Sequence, residues 1–154
     1  MILTTINNNY PNAFYGNFIM KNSGDYVLFL KGEYIDDVPN FEVHFNIPPQ
    51  QMDNFKKWGI VSTDKGIHLV SLTTKNTLIP LFEHDVQWID ATCYNNYDNT
   101  ILGTYYLLNL IHHEIKEEYK ITREEEYGLI YTSKEVKSYL KRNKIRGFSY
   151  ITDE

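Results

Sequence analysis

Only one cysteine, Cys93, occurs in the 154 residues. That excludes an intramolecular disulfide and any zinc site built from several thiolates. Glycine is also scarce: the eight glycines stand apart from one another, so there is no Gly-rich phosphate loop. No stretch approaches the ~20 apolar residues of a membrane span. The opening Met1-Ile2-Leu3-Thr4-Thr5 has neither the basic start nor the apolar run of a signal peptide, so a cytoplasmic protein is expected. Positive charge is in deficit, with fifteen Lys and Arg against twenty Asp and Glu, a net −5. That runs against general nucleic-acid binding, which needs a net basic footprint. It suits a partner with a basic face.

Tyrosine and phenylalanine, by contrast, are plentiful at thirteen and eight. Tyrosine serves half-buried strand faces and also interfaces, where an apolar body carries a polar tip. The length fits one domain with a sizeable core.

Residues 1–16, rich in asparagine, are expected to be irregular. Next come strands and tight turns: Ser23-Gly24-Asp25 separates Phe18-Ile19-Met20 from Tyr26-Val27-Leu28-Phe29-Leu30. Phe41, Val43, Phe45 and Ile47 then alternate with polar residues on one strand face. Together these predict an N-terminal antiparallel meander. Pro48-Pro49 opens a short helix, since proline is tolerated in a first turn, with Met52, Phe55 and Trp58 inward and Gly59 as its end. Asp85 to Asp90 reads as a strand, and Cys93 to Asn99 as a polar turn region. The run from Tyr105 to Ile111 is either a strand buried on both faces or a core helix.

The most legible unit is the last, residues 127–151. Leu129-Ile130-Tyr131 is a short strand pattern, and Thr132 precedes Glu135 at capping-box spacing. Val136, Tyr139 and Leu140 form one apolar stripe on a helix over 133–143, whose end is crowded by Lys141, Arg142 and Lys144. Gly147 to Ile151 reads as a closing strand. The stretch 59–81 is ambiguous: Asp64-Lys65-Gly66 suits a hairpin turn or a helix start capped by Thr63. A shift of 69 residues aligns Gly59 with Gly128 and Thr63 with Thr132, which favours a helix over 63–73. Thr122 and Glu125 repeat the capping spacing and suggest a helical turn. The expected architecture is α+β: the meander, then two strand–helix–strand units, all in one mixed sheet with helices on one face.

Candidate chemistry is thin. His112-His113-Glu114 lacks the zinc-protease spacing; His113 and Glu117 supply two ligands on one turn but no third is identifiable, so no metal is expected. Cys93 has no histidine close in sequence, and an unreactive thiol is the expectation. No catalytic residue and no cofactor are assigned. Two charge clusters remain. One is basic (Lys134, Lys137, Lys141, Arg142, Lys144, Arg146) with Tyr131, Tyr139 and Phe148 among it, a potential nucleic-acid face. The other is acidic (Glu114, Glu117, Glu118, Glu124, Glu125, Glu126) and would steer a basic partner electrostatically.

Tyr105-Tyr106-Leu107-Leu108-Asn109, a connector and a strand–cap–helix–strand ending Gly147-Phe148-Ser149-Tyr150-Ile151 resemble the type-11 immunity proteins of bacterial polymorphic toxin systems. Ile60-Val61-Ser62 to Leu81 is similar to that family's earlier unit of the same form. The resemblance implies a non-enzymatic antitoxin that binds one cognate toxin. The acidic patch suits a basic toxin, and the charge balance and lack of a long apolar run speak against nucleic acid and a membrane as partners of this chain. Its candidate contacts are Tyr94 and Tyr97 as aromatic anchors, with Glu114, Glu117, Glu118, Glu124 and Glu125 as a charged rim. The alternative is a small nucleic-acid-associated protein using the basic face of the helix at 133–143.

Overall fold

The computed structural model describes residues 1–6, 9–22 and 24–151. Ten strands and three α-helices lie among them, an α+β fold. Strands β1 (Ile2–Ile6), β2 (Asn17–Met20) and β3 (Phe41–Phe45) precede α1 (Met52–Lys56). Strands β4 (Ile60–Ser62) and β5 (His68–Val70) lead into α2 (Leu72–Phe82). Then come β6 (Val86–Asn95), β7 (Thr100–Leu110), β8 (Ile121–Arg123), β9 (Ile130–Thr132), α3 (Lys134–Arg142) and β10 (Phe148–Ile151). They form two sheets: six strands in the order β2-β3-β6-β7-β5-β4, and four in the order β10-β1-β9-β8.

The long β6–β7 hairpin is the spine of the larger sheet, paired from Val86↔Leu110 to Asn95↔Thr100. β7 is a strand buried on both faces near its end, which decides between the two expectations for this run. Leu107 packs into an aromatic core, while Leu108 and Leu110 pack into an aliphatic one. Side chains alternate across a sheet, so one strand serves both. The aromatic core holds Phe14, Phe18, Phe29, Phe45 and Phe55. Phe55 meets Phe14 and Phe45 edge-on at 5.4 and 5.1 Å. Such pairs contribute about 0.5–1.5 kcal/mol each beyond the area they bury. In the second core, Leu78 and Phe82 of α2 and Val136 and Leu140 of α3 meet Val70, Leu108 and Ile121.

Two side-chain amides, one buried (Asn95) and one half-buried (Gln87), extend the sheet by imitating backbone. Asn95 Oδ1 accepts from the Ile47 amide at 2.9 Å and its Nδ2 donates to the Ile47 carbonyl at 3.0 Å. Gln87 makes the same pair with Ile35, both at 2.9 Å, and Asn109 Nδ2 donates to Gln87 Oε1 and to the Glu33 carbonyl. Both clamps satisfy backbone groups of passing loops that have no ladder partner, as burial demands.

Several expectations are corrected. Residues 2–6 are not irregular: β1 is an inner strand of the smaller sheet, pairing with β10 and β9; Asn7 and Asn8 lie outside the described residues, as does Ser23 of the expected turn. Tyr26–Leu30 is a 3-10 helix, because Asp25 caps it by accepting from the Val27 amide. The N-terminal part is therefore no meander: β2 and β3 are antiparallel, but β3 runs parallel to β6. Residues 63–73 are not a helix. Gly66 takes φ +69°, and the Thr63 hydroxyl, read as a helix cap, closes the β4–β5 hairpin by donating to the Ile67 carbonyl. The helix starts later, at the Ser71 cap, and runs over Ile79-Pro80-Leu81 to Phe82. The cap of α3 is likewise Ser133 rather than Thr132, which is buried in β9 and hydrogen-bonded to Thr4. A strand followed directly by a serine cap thus occurs twice, but at a shift of 62 rather than 69 residues: Ser71 and Ser133, Leu78 and Leu140. Residues 121–123 are strand β8, not a helical turn. Finally, β9, α3 and β10 do form a strand–helix–strand unit, but β1 lies between its strands, and there are two sheets rather than one.

Candidate functional site

The residues expected to touch a partner fall at two places. Tyr94 lies in β6 and Tyr97 in the β6–β7 turn, while the acidic connector follows the other end of β7. Eleven residues at ~3.3 Å each put the two groups roughly 30 Å apart. Tyr94 is not a free anchor. Its ring stacks on His44 at 4.9 Å, and His44 is held by Asn96 Oδ1 at 2.9 Å and Glu42 Oε2 at 2.8 Å. These two hydrogen bonds, that to Asn96 first, raise the His44 pKa. Glu42, in turn, is lowered chiefly by its bond to His44. Tyr97 is exposed at the hairpin tip.

The connector is built rather than loose. The Thr122 hydroxyl donates to the Glu114 carbonyl at 2.8 Å and the Arg123 amide to the His112 carbonyl at 3.1 Å, so the loop at 112–119 covers the outer edge of β8. Covering an edge strand removes the unpaired groups that promote aggregation. Below it, His112 Nε2 contacts the buried Asp85 Oδ1 at 2.7 Å, and its ring stacks on Tyr119 at 3.6 Å. Asp85 Oδ2 also accepts from the Lys120 amide at 3.1 Å. His112 is thereby a brace for the loop. His113 and Glu117 are exposed, and no cluster of three His, Cys, Asp or Glu side chains able to hold a metal occurs among the described residues.

Past β8 the chain turns back through residues 124–129. Here Glu124 is structural: its carboxylate accepts from the amides of Glu126 at 3.0 Å, Tyr127 at 2.6 Å and Leu129 at 3.3 Å. Glu114 pairs with Lys116 at 2.9 Å, and that hydrogen bond holds its carboxyl below the usual range. Glu117, Glu118 and Glu125 are exposed and in no ion pair among the described residues. Between them stand apolar side chains that attracted no attention in the sequence. Tyr127 is 73% exposed, Ile115 50% and Leu129 41%. A hydrogen bond to Glu126 pushes the Tyr127 phenol pKa up. The signal available in the sequence was an aliphatic and an aromatic residue inside an acidic run. A hollow of about 240 Å³ opens beside Ile111, His112, His113, Glu114 and Tyr119. Two hydrogen-bonded turns, one at each end of the three-residue β8, make an acidic ledge with apolar points: Ile115, Glu117 and Glu118 lie on the first, Glu125, Tyr127 and Leu129 on the second.

Nucleophilic chemistry has one geometric candidate. Ser62 Oγ lies 2.8 Å from His68 Nδ1. Ser62 is 1% exposed, however, and the charge acting on His68 is the cation of Arg123. Burial first, and Arg123 second, drive the His68 pKa down to about 3. A serine–histidine pair acting in hydrolysis needs access and a carboxylate to support the imidazolium; here neither condition is met. Cys93 is in β6 and fully buried, not in a polar loop, and burial pushes its thiol up to about 12. No helix of the described residues is long and apolar enough to cross a membrane. Comparison with protein-family models, with curated proteins and with solved structures finds no match.

Proposed function

We propose that this chain is an immunity protein: it binds a basic bacterial toxin in the cytoplasm of the cell that makes both, and neutralises it by contact alone. One observation carries the choice of surface. The ledge at the two ends of β8 holds exposed Ile115, Tyr127 and Leu129 with the exposed carboxylates of Glu117, Glu118 and Glu125, on turns fixed by hydrogen bonds between side chains and backbone. Exposed apolar side chains at a rigid site anchor a partner, and surrounding charges of one sign select its complement and speed encounter. A stable complex of this kind buries roughly 800 Å² on each side. A preformed ledge loses little conformational freedom on binding. The resemblance to type-11 immunity proteins supplies the class of partner. Tyr94 and Tyr97 sit too far from the ledge to share its patch and are left out of the proposed contact.

The nucleic-acid reading has weaker support. Lys137 lies 5.2 Å over the Tyr150 ring and Arg142 5.7 Å over Tyr139, so two of the four basic residues of α3 each cover one aromatic face on which a base would stack. The test is co-expression with the product of the gene immediately upstream. Rescue of growth and co-elution of the purified pair are expected. Failure with every neighbouring gene product ends the immunity reading. Rescue that survives Glu117→Lys, Glu118→Lys and Glu125→Lys together moves the contact off the ledge.

A further inference from the structure

A cleft of about 530 Å³ lies far from the acidic ledge in character: it is basic, and no carboxylate lines it. Two segments distant in sequence supply its cations. Lys56 and Lys57 come from the end of α1, and Lys144 and Arg146 from the turn after α3. None of the four is in an ion pair among the described residues, although the chain carries an excess of acid. Four uncompensated cations converging on one hollow repel one another, and an anion relieves that repulsion. Hydroxyl side chains of Ser71, Thr73, Thr74, Thr77 and Thr104 line the cleft too, beside apolar Leu102 and Ile145. Those of Thr73 and Thr104 donate to no group among the described residues. The opening turn of α2 also faces the cleft, and its dipole adds to the positive field.

The backbone around the hollow departs from regularity at three places. Residue 102 is extra on β7, since Cys93 pairs with Gly103 and Tyr94 with Ile101. Gly103 within this bulge takes φ +134°, with nothing within 4 Å of where a Cβ would stand. Bulges re-aim a strand and are common beside functional sites. At Gly59 a Cβ would collide with Thr74 Oγ1, so that position of the lining admits no side chain. Lys144 is the third departure. The Ile145 amide donates to the Leu140 carbonyl and the Lys144 amide to that of Lys141, which is the Schellman ending of a helix. The residue in Lys144's place in that motif is usually glycine, because it must be left-handed; Lys144 adopts φ +55° instead. A lysine in a glycine position favours function over stability when its ammonium is needed. Arg146 is fixed as well, with its guanidinium 4.4 Å over the Trp58 ring.

We propose that this cleft binds a small ligand bearing a diphosphate or triphosphate, held by Lys56, Lys57, Lys144 and Arg146. The volume is of small-ligand size. An arginine braced against an aromatic ring presents the fork that fits phosphate oxygens, and the lysines supply point charges around it. The site is independent of the toxin-binding ledge, and neither needs the other to be right.

Inorganic pyrophosphate is the probe, titrated at low salt by calorimetry and by amide NMR. Saturable shifts at Thr73, Gly103, Lys144 and Arg146 are expected, weakening as salt rises. Joint Lys57→Ala and Arg146→Ala substitution should cost roughly tenfold or more in affinity, the loss of charge-assisted hydrogen bonds. Lys144→Gly should weaken binding while raising the melting temperature, which separates lost ligand contact from lost folding. Joint Lys134→Ala and Lys137→Ala substitution, outside the cleft, should leave the affinity unchanged. The absence of cleft shifts at about 10 mM pyrophosphate overturns the proposal, as does equal affinity in the Lys57/Arg146 variant. Tighter binding of a single-stranded oligonucleotide that depends on Lys134 and Lys137 also overturns it, in favour of a nucleic-acid face.

Discussion

Acidifying the solution from pH 6.5 to 4.5 should destabilise this protein, and His68 should be the main reason. Its imidazole faces Ser62 inside the β4–β5 hairpin, and burial with the nearby Arg123 holds its pKa at about 3. The unfolded chain presents an ordinary histidine near 6.5. Between those values the unfolded state binds a proton that the folded state refuses, so stability rises with pH across this window and falls as pH falls. One proton of difference sets the slope at no more than about 1.4 kcal/mol per pH unit, and the partial exposure of His68 screens the ring and lowers it further. Two units of acidification therefore cost up to about 3 kcal/mol, out of a total stability of roughly 5–15 kcal/mol. His44 acts in the other direction and elsewhere. Its raised pKa gives stability that is complete below the unfolded value and lost as pH climbs above it. The lowered Glu42 gives stability present above its own unfolded value and lost at lower pH. The two histidines thus place a stability maximum near pH 6.5. Urea denaturation at half-unit steps measures this, with His68→Gln as the comparison, since an amide keeps a hydrogen bond to Ser62 without titrating. The variant should lose most of the acid slope between pH 6.5 and 4.5. An unchanged slope refutes the assignment to His68.

Other perturbations have equally direct readouts. Asn95→Ala should cost about 2–4 kcal/mol in denaturant unfolding, since it leaves both the amide and carbonyl of fully buried Ile47 unsatisfied. Lys144→Gly should raise stability by about 1 kcal/mol and the melting temperature by roughly 2–4 °C, by removing a left-handed lysine. Cys93 should resist a thiol reagent at pH 8 in the native protein and react at once in urea, because its thiol is buried with a pKa of about 12.

Much of the fold was legible where the local pattern and the tertiary demand agree. The alternation of Phe41, Val43 and Phe45 marks β3, the proline-led helix buries Phe55 with Trp58 buried just past its end, and Val136 and Leu140 face inward from α3. Legibility failed where one polar side chain redirects the backbone. Asp25 turns an apolar run into a 3-10 helix, and Thr63 closes a hairpin where it looked like a cap. It failed again where distant residues decide, as at β1, a threonine-rich segment whose partners lie beyond residue 129. The acidic residues of the candidate site were plain, but not their roles. Whether Glu124 is rim or brace depends on a turn that brings three amides to its carboxylate. Of the basic cleft only Lys144 and Arg146 stood out in the sequence, as part of a basic cluster, because Lys56 and Lys57 join them only in space.

The central claim is that the ledge around Ile115 and Tyr127 docks a basic partner. It is tested most directly by the association and dissociation rates of the complex with the upstream gene product, for wild type, Tyr127→Ala and the triple charge reversal of Glu117, Glu118 and Glu125. Tyr127→Ala should speed dissociation, since it removes an anchor. The charge reversal should slow association, with a weaker salt dependence than the wild type. Wild-type rates in both variants would contradict the claim.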